Sequence, residues 1–261
     1  FRRLLIAHAD CIYKNNFSTF LAYNCLNNIF NDAGLWIKAE SVQQKALVHC
    51  MHYFGKRHIN TLRLESNLAY TYQQLGRLKE AEVLEKETLK LCKEVLGEHH
   101  PDTLASMGTL GLIYQQLGRL EEAEVLEKET LKLHKEVLGE HHPQTLVSMG
   151  NLVLTFIQLG QLEEAEVLQK ETLKLCKDLG RLEEAEMLEK ETLKLCKDVL
   201  GEYHPHTLAS MGNLALTFKQ LGQLEEAEVL QKETLKLCKD VLGEHHPHTL
   251  ISMSNLALIS K

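Results

Sequence analysis

Apolar residues recur along this chain in short bursts at steps of three and four, with polar residues filling the gaps. Over 101–117 they fall at Leu104, Met107, Leu110, Gly111, Tyr114 and Leu117, which puts them on one face of a helix. The next stretch repeats the logic with Leu120, Ala123, Leu126, Thr130, Leu131, His134 and Val137. Its other face is Glu and Lys, including Glu124 and Lys128 at i,i+4 in the favourable order. Pro101 suits a first helical position, where its missing N–H removes no bond. Gly118 stops the first helix and Gly139 the second, because glycine adopts the left-handed conformation a helix end requires. The pattern predicts two short helices, A and B, neither able to bury its apolar face alone.

The pair is copied along the chain. Gly34, Gly55, Gly76, Gly97, Gly118, Gly139 and Gly160 are each 21 apart; Gly180, Gly201, Gly222 and Gly243 follow with one interval of 20 and the rest 21. Pro101, Pro143, Pro205 and Pro247 each precede a Thr-Leu by two residues, at intervals of 42, 62 and 42. A period built from two such halves, punctuated by Gly and Pro, predicts an all-α fold: an α-solenoid of stacked antiparallel helix hairpins. Residues 1–16 read as a non-repeat flanking helix. A first block covers 17–178, with copies starting near 17, 59, 101 and 143. The first copy is worn, yet Gly34, Ala39, Cys50 and Gly55 still stand 42 before Gly76, Ala81, Cys92 and Gly97.

The interval of 62 marks a break. Helix B over 161–178 runs directly into a second B-type stretch, LGRLEEAEMLEKETLKLCKD, at 179–198. The loop and A helix of a full copy, the 22 residues that read VLGEYHPHTLASMGNLALTFKQ at 199–220, are missing between them. Every later helix is then displaced by one place in the alternation, so an irregular junction is expected near 178–181. The second block, 179–261, holds a lone B-type helix, a copy starting near 205 and an unpaired A helix over 247–261. Leu250, Met253, Leu256 and Ala257 on that last helix lack a B helix to cover them, and self-association through this face is expected.

Leu110, Gly111, Tyr114, Gly118 and Ala123 fall at the Leu, small, aromatic, Gly and Ala spacings of the tetratricopeptide repeat (TPR), which the chain resembles over roughly residues 17–261. The 42-residue length, with LGxLxEAE and VLGExHPxTL, resembles the kinesin-light-chain-like branch. It is more similar still to arrays behind the nucleotide-binding domain of fungal NB-ARC receptor-like proteins. The resemblance implies a TPR-like superhelix that binds a partner protein. One departure concerns packing: four positions after the Ala, where the family has a large apolar residue, stand Glu85, Glu127, Gln169, Glu189 and Gln231. Thr88 and Thr130 replace a further small residue. Looser packing is expected there.

Composition narrows the chemistry. The chain has 261 residues, 25% of them charged, and a net charge of −7 from interleaved signs, which argues against nucleic acid. No apolar run approaches the ~18 residues of a membrane span, and no signal-peptide pattern opens the chain. Seven Cys, an odd number with no CxxC, point to a reducing, cytoplasmic setting. Phe1 in place of Met suggests a piece of something longer. Cys50, Cys92, Cys176, Cys196 and Cys238 recur at one place on the apolar face of helix B, with His134 once, and read as small buried hydrophobes, not metal ligands. Histidines cluster before each A helix, where helix capping and turn chemistry account for them. Nothing pairs a nucleophile with a base, and no phosphate-binding glycine motif occurs, so neither catalysis nor a cofactor is expected.

The informative row is on helix A: Asn67, Thr109, Asn151, Asn213 and Asn255. The resemblance implies that this position faces the concave groove and hydrogen-bonds a peptide main chain. Tyr70, Leu112, Leu154 and Leu216 share that surface, with Gln74, Gln116, Gln158 and Gln220 beyond them. Gly108, Gly150 and Gly212 lie beside the row, where glycine costs about 1 kcal/mol relative to Ala in a helix interior. The groove carries Lys219 as its lone cation. The expected partner is an extended protein segment. An alternative is that the chain is the sensor or self-association region of a larger NB-ARC-type signalling ATPase, with the nucleotide chemistry upstream.

Overall fold

The structure, a computed structural model, describes residues 20–259, so the flanking helix expected over 1–16 lies outside it. Among the described residues there are twelve helices and no strand. In order they are α1 (Phe20–Asp32), α2 (Trp36–Phe54), α3 (Ile59–Gln74), α4 (Leu78–Leu96), α5 (Pro101–Gln116), α6 (Leu120–Leu138), α7 (Pro143–Leu159), α8 (Leu162–Asp178), α9 (Leu182–Leu200), α10 (Pro205–Gln220), α11 (Leu224–Leu242) and α12 (Pro247–Ile259). The odd helices α1 to α7, with α10 and α12, are A helices; the remainder are B helices. The helices form two compact units, one ending at Leu133 and the other beginning at His134.

In the first unit each helix packs on the next, and the A helices α3 and α5 also touch. Most of the apolar positions predicted from the three-four spacing are buried, but Val137 is exposed and the unpredicted Ile113 is wholly buried. Leu104, Met107, Leu110 and Tyr114 of α5 join Leu89 of α4 and Ala123 and Leu133 of α6 in one cluster. Leu104 and Met107 are wholly buried, each worth about 1.5–3 kcal/mol of apolar transfer. The worn first copy also makes a hairpin, closed by Leu26, Phe30, Ala39 and Val42. The second unit builds its core the same way, around Leu208, Met211 and Cys238. On α12, Leu250 and Met253 are exposed.

The glycine ladder resolves into two devices. At the A-to-B turns, Gly34, Gly76, Gly118, Gly160 and Gly222, and at the turn between the two B helices α8 and α9, Gly180, are left-handed, with φ from 67 to 78°. Gly118 N–H donates to Gln115 O (3.1 Å) and Arg119 N–H to Tyr114 O (2.9 Å), which satisfies the last carbonyls of α5. At B-to-A turns the glycines have φ from 82 to 91°; at Gly97 ψ is 166°, a region that essentially only glycine occupies.

The His and Thr of the HPxT motif complete the second device. His100 Nδ1 accepts from Asp102 N–H (3.1 Å), and Thr103 Oγ1 donates to Gly97 O (2.8 Å). His58, His142, His204 and His246 cap their helices in the same way, each at 3.2 Å. The turn histidines are thus N-caps, holding one N–H that the first helical turn leaves unpaired. Replacing His142 with Ala is expected to cost about 1 kcal/mol, read as a shift in the urea midpoint.

The break at 178–181 follows from which device is present. α8 lacks the Gly-x-x-His-Pro sequence and stops at Asp178, with 17 residues against 19 in α4, α9 and α11. It ends instead on an A-type turn: Gly180 N–H donates to Lys177 O (3.0 Å) and Arg181 N–H to Cys176 O (2.8 Å). α9 then lies against both α7 and α8 before pairing with α10. Leu188 of α9 covers Gly150 of α7, where an added Cβ would stand 2.3 Å from Leu188 Cδ2.

Candidate functional site

The twelve predicted groove residues lie on four A helices, three to a helix at i, i+3 and i+7, which is one helical face. In the first unit, Asn67, Tyr70 and Gln74 of α3 are exposed. Neighbouring α5 offers Thr109 and Leu112, half-buried, and Gln116, exposed. Tyr70 is not loose: its ring meets Trp36 edge-on, with centroids 6.1 Å apart. Thr109 Oγ1 is bonded back to Ala105 O at 3.1 Å. Beside Thr109, Gly108 has nothing within 4 Å of an added Cβ, so the face is open there.

In the second unit, Asn151, Leu154 and Gln158 of α7 are half-buried, as are Asn213 and Leu216 of α10, with Gln220 exposed. The two triplets are not neighbours in the way those of α3 and α5 are, because α9 packs between α7 and α10. Asn213 and Asn255 line a cavity of about 260 Å³ that α8 closes on one side. Lys219, the cation expected in the groove, is engaged: its Nζ donates to Leu258 O at 2.5 Å.

Beneath the A-helix face runs a row of buried polar side chains that sequence reasoning marked as gaps in apolar packing. Glu85, Glu189 and Gln231 are fully buried. Glu85 Oε1 accepts from Ser66 Oγ of α3 (2.6 Å) and Ser106 Oγ of α5 (2.5 Å), tying α4 to both A helices. Burial pushes the Glu85 carboxyl up to about 7, against the pull of those two hydroxyls, with the Glu65 carboxylate adding to the rise. Burial lifts Glu189 to about 7 as well, against the Thr217 hydroxyl. In the Gln231 copy the amide Nε2 donates to Ser252 Oγ at 2.6 Å. Glu85 is thus bonded within the core, while Gln169 Nε2 and Gln231 Oε1 are buried without a hydrogen-bond partner. The serine donors sit one helix away on either side, 19 and 21 residues from Glu85, and no local pattern announces them.

The cysteine row is buried, as its place on the apolar face predicts. Burial pushes the Cys92 thiol up to about 12, and Cys176 and Cys196 to about 11, which leaves them poor nucleophiles at neutral pH. Among the described residues no three His, Cys, Asp or Glu converge as a metal site. None of the described helices is long and apolar enough to cross a membrane. The B helices carry a rival surface: Val83, Val125, Val167, Met187 and Val229, one per helix at the same repeat position, are 66–69% exposed.

The described geometry agrees with known proteins. Profiles described as tetratricopeptide repeat match residues 61–102 and 103–144, and 128–178 and 174–240. No curated protein matches. Among solved structures, a Podosopora anserina protein of nearly identical TPR-like repeats, of the kinesin light chain kind, is 23% identical. It aligns over 85% of this chain and 96% of its own, with a TM-score of 0.53. A Rap protein complexed with Competence and Sporulation Factor aligns over 92% of this chain and 62% of its own, at 15% identity and a TM-score of 0.59. A signal transduction ATPase with numerous domains and a tetratricopeptide repeat sensor, from Pyrococcus horikoshii, aligns over 99% of this chain and 40% of its own, at 16% identity and a TM-score of 0.55.

Proposed function

Since the chain belongs to the tetratricopeptide repeat family, we propose that it is a non-catalytic scaffold whose A-helix face holds an extended segment of a partner protein. The observation that carries this reading is the pair of adjacent A helices α3 and α5. Their Asn67, Gln74 and Gln116 stand exposed, and the space beside Gly108 is open. Amides on a rigid helix can each give and take a bond from a passing main chain, while Leu112 offers an apolar seat between them. The Rap protein, of similar fold, is complexed with a factor, which fits a fold that presents a face to a ligand.

The test is the double substitution Asn67→Ala with Leu112→Ala, both on that face. It is expected to weaken capture of a partner at least about tenfold, the effect of losing roughly 1.4 kcal/mol, with far-UV circular dichroism unchanged. Unchanged affinity would remove this face from the reading. A second reading is favoured by the Pyrococcus horikoshii ATPase, whose tetratricopeptide repeats are a sensor: the present chain then senses for a nucleotide-binding domain upstream. A phosphate-binding loop in the sequence before Phe1 would support it.

A further inference from the structure

The cavity of the second unit owes its form to the missing A helix. With that helix absent, α8 is followed by a second B helix, α9, in place of an A helix. Its Ala165, Glu166 and Lys170 form a wall of the same cavity as His206 and Asn213 of α10 and His248 and Asn255 of α12. These A-helix residues share the repeat face that is open in the first unit. Glu166 is paired with Lys170 at 2.5 Å, and that bond first, then His206 and His248 across the gap, hold its carboxyl below the usual range. Gly212, lacking a side chain, leaves the floor open; an added Cβ would meet only Asn255 Nδ2, at 3.9 Å.

Below lie Gln231 Oε1 and Ser210 Oγ, buried and without a hydrogen-bond partner. The cavity, of about 260 Å³, is ample for several waters or a compact polar guest.

We propose that α8 is a built-in lid: the helix before the break closes over the face of α10 and α12, so this part of the chain is shut to an extended protein segment. The face is covered by the chain's own helix, and only small solutes reach Asn213 and Asn255. The inference does not depend on the A-helix face binding a partner, and its test reads accessibility alone.

The experiment introduces single cysteines by Asn213→Cys and Asn255→Cys, with Asn67→Cys and Thr109→Cys as references on the open face. Each full chain is labelled with iodoacetamide and with a maleimide carrying a long polyethylene glycol chain, above the background of the native thiols. The bulky reagent is expected to label Cys at 213 and 255 about tenfold more slowly than at 67 and 109, since it must wait for the lid to open. Iodoacetamide should show a much smaller gap. Equal rates with the bulky reagent at all four positions would overturn the proposal.

A second variant repairs the alternation by inserting another copy of residues 199–220 after Asp178. The proposal expects bulky-reagent rates at Asn213→Cys and Asn255→Cys to rise to those of the references. Rates left low in a folded insertion variant would overturn it too, and if the insertion does not fold the first comparison decides alone.

Discussion

Replacing Glu85 with Gln is expected to stabilise the protein by about 3 kcal/mol near pH 8.5 and to change little near pH 4. The carboxyl is fully buried, and its folded-state value is raised from the ordinary 4.5 to about 7. A raised carboxyl means that the folded chain holds the proton more tightly than the unfolded chain. The contribution to stability is therefore fully present below the unfolded value, is lost as pH climbs from about 4.5 to 7, and stays lost above that. A shift of this size corresponds to about 3 kcal/mol at 1.36 kcal/mol per unit. Gln keeps an acceptor for Ser66 and Ser106 and never ionises, so it escapes the loss. The chain makes this exchange itself at Gln169 and Gln231, in the same repeat position. Urea unfolding of wild type and Glu85→Gln at both pH values checks it. A difference that does not grow with pH would show that Glu85 is solvated in the fold.

The second large effect separates the two kinds of turn glycine. Gly222 is left-handed at φ 78°, so Gly222→Ala is expected to cost about 1–2 kcal/mol, the price of a Cβ in that region. Asn there should recover most of the loss, since its short polar side chain tolerates the conformation. Gly201 has φ 91° and ψ 162°, where no L side chain is comfortable. Gly201→Ala is expected to cost up to about 3 kcal/mol, and Asn should not rescue it. Denaturant midpoints of the four variants decide. Equal costs at 201 and 222 would mean that the turns relax and the distinction has no energetic weight.

The hairpins were legible because the signals that set them are local. Three-four spacing chose the buried faces of α5 and α6, and glycine and proline marked each turn. What separates the two glycine classes is also local, though easily passed over: Gly118 is followed by Arg-Leu, Gly97 by Glu-His-His-Pro. The capping role of the turn histidines was legible from their place before each A helix; that Nδ1 of His100 accepts from the N–H two residues on came from the geometry, since imidazole is not among the favoured N-cap side chains. The bonding of Glu85 was not legible because its partners lie on two other helices. A carboxyl among apolar positions looks like a packing fault until Ser66 and Ser106 are seen to donate to it. The cavity was missed for a related reason. The absent A helix was visible between Asp178 and Leu179, but which face α8 would then meet depends on how α9 settles against α7, and Leu188 seated over Gly150 is not a pattern within any one repeat.

The rows on the A and B helices make rival claims on a partner, and one measurement separates them. A photo-crosslinking amino acid is placed at Leu112 on α5 or at Val125 on α6, a residue 69% exposed on the other face, and each full chain is irradiated with its captured partner. The account predicts a crosslink from 112 and none from 125. A crosslink from 125 with none from 112 would contradict it and move the binding surface to the B helices.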